Sequence, residues 1–579
     1  MKHRPYLYLL LTAITCIFAI SCNLYNGQTG HQEFSTQNLL LNASLEDALS
    51  DTLPRFWRPK GEGERDAVFR YPVEGYQEGN AVYVEMTNRQ TGDAKWMPYD
   101  VAVVPGETYR FTAMYRSNAA SKIAVRYNRG TCLTEGVDCD YAELGVQPAS
   151  ERWAKAEVSL TVPAGVRSLT IFQLLDQDGW LYLDELALTP SNPAIATIEP
   201  QIPNPTFTSG LADVDTPSGW LKSGQGKHQP LYTYINNDGV DDRSSIKVTV
   251  TQHEAGSAEW MYTPQAIAGG QAYLFSVAYK TDIVPDAGVQ LIDGAGKISF
   301  LRLPKPDPQG KGWQRYAHEF FVPKGTLFAS AFLAAPTNGY IQTDDYRLEP
   351  FTYQGFDRPI VTLTFDDGYE ENIETALSIM EQHGFKATHC YTTGNLQNNS
   401  AKIQSIKTLQ QAGHEICSHS VTHAALTKLN GDALMKELEA SQATLEDIVG
   451  APIPNFVTPY GAYDPAVKDA IQKLYAVHRT IDNGFNSPEN LDLYALKTQN
   501  MYADTSLAQF KEWVDQAIAD KTWLILVYHR VSPTNPSAYT THLTDFTAQM
   551  EYLAATGVRV MTLDEAVQEA RTQLDNASE

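Results

Sequence analysis

Much of this chain occurs twice. "AKWMPYDVAVVPGETYRFTAMYRS" from Ala94 returns as "AEWMYTPQAIAGGQAYLFSVAYKT" from Ala258. "NLLLNASLEDALSDTLPRFW" from Asn38 returns loosely as "QIPNPTFTSGLADVDTPSGW" from Gln201, and "GWLYLDELALTP" from Gly179 as "GYIQTDDYRLEP" from Gly339. The three pairs keep their order at offsets of 160 to 164 residues. Two copies are too few for a solenoid, so this is duplication of a whole domain. Within each copy, short alternating segments such as Tyr109, Phe111, Ala113 and Tyr115 are divided by Gly, Pro and Asn turns. Period-two alternation with little helical periodicity predicts one β-sandwich per copy. The Pro-rich "TPSNPAIATIEPQIPNP" between them reads as a linker.

After Phe351 the periodicity changes. "VTLTF" precedes a helical pattern with Ile373, Ala376, Leu377 and Met380 on one face, stopped by Gly384. "ATHCYT" precedes another with Ile403, Ile406 and Leu409, stopped by Gly413. "EICS", "NFVTP", "LILVYH" and "VRVMTL" are further strands, and Asp464 caps a helix with Pro465 at its first position. Strand and helix alternate about seven times, which predicts a parallel α/β barrel with its active site at the carboxyl ends of the strands. The 579 residues thus divide into a signal segment 1–21, a tether 22–36, sandwiches at 37–190 and 200–352, and an α/β domain at 356–579.

A net charge of −24 and a pI near 4.9 argue against nucleic acid as the partner. The 31 tyrosines suit β-rich modules and sugar-facing surfaces. Lys2, His3 and Arg4 precede an apolar run from Tyr6 to Ile20 and the small residues around Ser21, the pattern of an export signal. Cys22 after Ser21 resembles the lipid-attachment cysteine of bacterial lipoproteins, which implies a membrane anchor in the cell envelope; cleavage at the same point also suits plain secretion. Cys132 and Cys139 are close enough for a local disulfide. Cys390 and Cys417 read as buried free thiols, and no cysteine has metal-site spacing.

Chemistry collects at the expected strand ends: Asp366 and Asp367 in "TFDDG", His419 and His423 in "SHSVTH", Tyr460 in "TPYG", and His529 in "LVYH". Two histidines four apart with a distant carboxylate are three ligands for zinc or a similar divalent ion, with a coordination position left open. The second carboxylate then serves as base, and the cation offsets the repulsion between adjacent acids.

In order and spacing these motifs resemble the polysaccharide deacetylases, the NodB-homology domain of carbohydrate esterase family four. The resemblance covers roughly Arg358 to Ala570. It implies a distorted (β/α)7 barrel, a metal triad of Asp367, His419 and His423, Asp366 as catalytic base, His529 as catalytic acid and the Tyr460 N–H as oxyanion donor. The implied reaction is metal-dependent deacetylation of an acetylated polysaccharide. Val457 stands where the family often has an arginine beside the base; Arg479 on the next strand is the candidate replacement. Asp482 is the nearest candidate for the aspartate that tunes the catalytic histidine. The sandwiches resemble jelly-roll carbohydrate-binding modules, which implies structural calcium at Asp184 and Asp344 and a role in binding without chemistry. Trp57, Trp96, Trp220 and Trp260, at matched positions, read as core. The competing reading is a glycan-binding surface lipoprotein that has lost turnover.

Overall fold

The computed structural model describes residues 38–577, except 129–139, 192–201, 208–210, 214–215, 307–311, 535–536 and positions 167, 218, 295 and 395. The signal segment, the tether with Cys22, and Cys132 and Cys139 lie outside the described residues.

Each copy is a sandwich of two antiparallel layers. In the first, strands Asp66–Glu74, Asn80–Thr87, Thr108–Ser117, Ser150–Thr161 and Gly179–Pro190 form one sheet. Strands Trp57–Glu62, Asp93–Pro98, Ser121–Asn128, Asp140–Gln147 and Ser168–Leu175 form the backbone of the other. The alternating Tyr109, Phe111, Ala113 and Tyr115 all face the core and are buried. In the second copy one long strand, Ser245–Tyr262, serves both layers. Its Ile246–Val250 segment pairs with Gly339–Phe351, while Ala258 and Glu259 pair with Thr326–Ala335. The first copy breaks at the same point, between Asn80–Thr87 and Asp93–Pro98.

The matched tryptophans are core residues, as read. Trp96 donates to the Tyr83 carbonyl at 2.9 Å and Trp260 to the Lys247 carbonyl at 3.0 Å. Trp57 and Trp220 likewise donate to backbone carbonyls, and all four are at most 2% exposed. The copies also touch: Ile292 and Phe328 of the second join the apolar core of the first.

Glu259 is buried where the long strand passes between layers, accepting from Ser223 at 2.7 Å. Burial pushes its carboxyl up to about 7 from an ordinary 4.5. The folded state therefore holds a proton that the unfolded chain releases, so stability falls as pH rises from about 4.5 through about 7. Glu259→Gln should remove this dependence. Between pH 5 and 8 the wild-type second sandwich should lose on the order of 2 kcal/mol, at about 1.36 kcal/mol per pKa unit, that the variant keeps. Parallel stability–pH curves from denaturant unfolding would exclude Glu259 as the titrating group.

The C-terminal region is a closed parallel barrel. Its strands are β1 (Ile360–Phe365), β2 (Thr388–Tyr391), β3 (Glu415–Ser418), β4 (Asn455–Val457), β5 (Val477–Asn483), β6 (Leu496–Asn500) and β7 (Trp523–Tyr528). They pair in sequence, β7 returns to β1, and β1 also pairs with β2. Every residue of β1 and β7 is buried, as in a parallel sheet covered on both faces. The expected strand "VRVMTL" contributes only Val560–Met561, which pairs with β1 outside the ring. Asp464 caps its helix by accepting from the Val467 N–H, with Pro465 at the first position.

One cysteine reading is corrected. Cys390 and Cys417 are joined in a disulfide, because β2 and β3 are parallel neighbours in register and hold the two Cα atoms 4.4 Å apart. The second sandwich packs directly on the barrel. Glu319 forms a buried ion pair with Lys497 and accepts from Asn490 Nδ2 at 2.6 Å. The Lys324 N–H donates to Glu512 at 2.6 Å.

Candidate active site and metal centre

The carboxyl end of β1 turns sharply at Asp367, whose φ is +68°, and Gly368, whose φ is +62°. A Cβ on Gly368 would lie 2.2 Å from the Tyr391 ring, so both backbone conformation and space require glycine there. The turn sends the two neighbouring carboxylates to different partners. Asp367 faces two histidines, with its Oδ1 3.5 Å from His419 Nε2 and 3.3 Å from His423 Nε2. Asp366, on the strand side, is paired with the Arg479 guanidinium from β5.

The loop after β3 supplies both histidines. Ser420 and His423 take positive φ, at +65° and +60°, a cost typical of functional loops. The Glu437 carboxylate ties this loop down by accepting from the Val421 and Thr422 N–H groups at 2.9 and 2.8 Å. His419 is buried, and its Nδ1–H donates to the Val457 carbonyl at 2.8 Å, which leaves the Nε2 lone pair facing Asp367. Fixing the tautomer through the far nitrogen is how metal-ligating histidines are oriented. One ligand atom from each of Asp367, His419 and His423 lies within 4.8 Å of the others, the only such gathering of three among the described residues. Two imidazoles and one carboxylate on a partly open face fit a divalent ion of the zinc class.

Burial pushes the Asp366 carboxyl up, but Arg479, with His419 and His529 nearby, outweighs this and holds it below the ordinary range. The place expected for an arginine on β4 is thus filled from β5. Val457 instead packs with Cys390 and Cys417 and offers its carbonyl to His419. Asp367 is also held low: burial raises it, and the two histidine hydrogen bonds outweigh that.

Tyr460 has φ +58° in the turn after β4, and its ring packs edge-on against His423 with centroids 4.4 Å apart. Its N–H has no acceptor within the protein among the described residues. His529 follows β7, lies beside Tyr539, and is held by a hydrogen bond from Asn372 to its carbonyl. Burial lowers its basicity while Asp366 and Asp367 raise it, with a net shift downward. Its Nδ1 is buried with no hydrogen-bond partner among the described residues. Asp482 is not that partner. It accepts from the Tyr463 hydroxyl at 2.5 Å and pairs with Arg302, a residue of the second sandwich, at 3.1 Å.

These side chains converge from strand ends onto one face, and much of that face lies in a stretch that is similar to known proteins. Residues 354–477 match the polysaccharide deacetylase family. The match takes in Asp366, Asp367, His419, His423 and Tyr460; Arg479 and His529 follow it. The chain is 28% identical over 101 residues to a bifunctional xylanase/deacetylase of Pseudobutyrivibrio xylanivorans, covering 17% of this chain and 16% of that protein. It is 30% identical over 115 residues to a chitin deacetylase of Arthroderma benhamiae, covering 20% and 31%. The chain thus spans less than a third of the length of either relative. The solved N-terminal CBM22 tandem domain of Xyn10C from Paenibacillus barcinonensis aligns with 54% of this chain and 98% of its own, at 12% identity and a TM-score of 0.23.

Asp184 and Asp344 occupy equivalent buried positions in the two sandwiches. Asp184 accepts from the Tyr76 N–H and Asp344 from the Val240 N–H, both at 2.7 Å. Burial pushes them up to about 7 and about 6. Neither is gathered with two further acidic, histidine or cysteine ligands among the described residues. The sequence left sugar-facing aromatics unnamed. On one face of the first sandwich Trp153, Tyr182 and Tyr83 form a ladder, with Arg116 4.0 Å from the Tyr182 ring centroid.

Proposed function

We propose that this protein hydrolyses acetyl groups from an acetylated polysaccharide, releasing acetate and a free amine or hydroxyl. The observation that carries it is the separation of roles between adjacent acids. Asp367 faces the Nε2 atoms of two imidazoles, while Asp366 is buried and paired with Arg479. Asp367, His419 and His423 would hold a divalent ion, zinc in our reading, which would supply Lewis-acid activation of water and of the acetyl carbonyl when bound. Asp366 takes the proton from the attacking water. The Tyr460 N–H, which has no acceptor among the described residues, donates to the carbonyl oxygen as it becomes an oxyanion. His529 gives a proton to the departing nitrogen or oxygen. Amide and ester substrates both fit this chemistry, in line with the names of the chitin deacetylase and xylanase/deacetylase relatives.

The two sandwiches are proposed as glycan-binding modules, with structural calcium at Asp184 and Asp344. The chain is proposed to be exported and anchored to a bacterial envelope membrane through lipid on Cys22. The deciding measurement is acetate release from a panel of acetylxylan, chitin oligomers and peptidoglycan, with metal content determined on the same preparation. We expect about one divalent ion per chain and release from at least one glycan, abolished by chelation and restored by zinc. A metal-loaded protein that releases acetate from none of them would leave a binding protein without turnover.

A further inference from the structure

We infer that the second sandwich completes the active site: Arg302 is a positioning residue that holds the oxyanion turn of the barrel from outside. This rests on the deacetylase reading and concerns the Tyr460 site.

Arg302 lies on strand Ile298–Leu303, at the edge of the second sandwich and against β5. Its Nη2 donates to the Gly461 carbonyl at 2.6 Å and its Nη1 to the Tyr460 carbonyl at 3.4 Å. Its Nε faces the buried Asp482 carboxylate at 3.1 Å. Its own N–H donates to Asn483 Oδ1 at 3.0 Å. One guanidinium therefore bridges the turn after β4 and the end of β5. Asp482 is fixed in turn by the Tyr463 hydroxyl. The fork geometry of arginine suits this, because one plane donates to two carbonyls while its charge pairs with a carboxylate.

What is held matters for the chemistry. Tyr460 and Gly461 both have φ of +58°, a conformation that Tyr460 does not adopt without cost. The two carbonyls turned toward Arg302 belong to the two peptide units that directly follow the Tyr460 N–H in the same turn, and the Tyr460 ring packs on His423. Anchoring these carbonyls holds the turn that carries that N–H and so limits where it can point. An oxyanion donor displaced by about 1 Å can cost ~100-fold. The barrel supplies every reacting group, while the neighbouring domain supplies the clamp.

The test uses the full mature chain with Arg302→Ala and Arg302→Lys. Kinetics on a soluble acetylated oligomer, metal content and amide exchange of residues 459–463 by mass spectrometry are measured together. For Arg302→Ala we expect kcat to fall by roughly 10- to 100-fold with KM and metal content near wild type. Exchange in the 459–463 segment should be faster. Arg302→Lys, which keeps charge but loses the fork, should recover part of both effects. Lys297→Ala, which removes an exposed ion pair with Asp504 across the same interface, should change neither. The inference is overturned if Arg302→Ala keeps wild-type kcat, leaves exchange unchanged, or loses metal along with activity; the last would make Arg302 a general structural support. If Arg302→Ala does not fold, the lysine variant decides by the same readouts. A wild-type chain that releases no acetate, with exchange still accelerated in Arg302→Ala, would remove the deacetylase reading and leave the clamp standing.

Discussion

His419→Ala should purify without its divalent ion. His419 is the most committed of the three candidate ligands: its ring is buried, and its Nδ1–H is spent on the Val457 carbonyl at 2.8 Å. Only Nε2 is left, and it faces Asp367. Removing an outer partner of a metal-bound histidine typically costs about 10- to 100-fold in affinity, so removing the ligand itself should exceed that. Elemental analysis and zinc titration of the variant would show loss of stoichiometric binding, with acetate release falling in parallel. Retention of one tightly bound ion per chain would mean that the gathering of Asp367, His419 and His423 is not the metal centre.

Asp366→Asn should separate chemistry from metal binding. The side chain keeps its shape but cannot accept a proton as a carboxylate does, and none of the three ligands is touched. Acetate release should drop by roughly 100-fold or more, with metal content unchanged. Arg479 sharpens the test, because it is fully buried and its charge is answered by Asp366. Arg479→Leu alone strands a buried carboxylate, a change that commonly costs about 3–5 kcal/mol. The double variant Asp366→Asn/Arg479→Leu should therefore be more stable than Arg479→Leu alone. Additive losses of stability would show that the two residues do not act as a pair. Wild-type rates in Asp366→Asn would move the base elsewhere.

The sequence made the duplication, the barrel and the site residues legible for different reasons. Alternation and matched tryptophans carry across the two copies because both need the same buried face. The metal triad was visible because His419 and His423 are four apart and Asp367 ends a clear apolar strand. Less visible was β6, "LKTQN", whose polar residues are all buried in the barrel, so it lacks the apolar run by which the other strands announce themselves. "VRVMTL" had that run and yet lies outside the ring. Arg479 could be suspected from its place on the strand after Val457, but its contact with Asp366 depends on how the closed barrel turns β5. The disulfide was misread because register between β2 and β3 is a tertiary fact. Arg302 was missed altogether: it lies in a different domain, 158 positions from Tyr460, and belongs to no local motif.

The strand pairings of the two copies also record an ancestry that has become asymmetric. Ala94 pairs with Leu175 in the first copy as Ala258 pairs with Ala335 in the second. Following the same ladders outward, Leu174 leads through Lys122 to Ala124, and Ala334 leads through Asp286 to Gly288. The residue across from Gly288 is Arg302, and the residue across from Ala124 is Glu143. These two corresponding places carry opposite charges, and the first copy reaches its own across a register shift between Glu143 and Gly145 that the second lacks. A Glu143-type residue turned toward Asp482 and the carbonyls of Tyr460 and Gly461 would repel all three. The copies are therefore no longer interchangeable: recombination that replaced the second with the first would preserve a sandwich and lose the clamp.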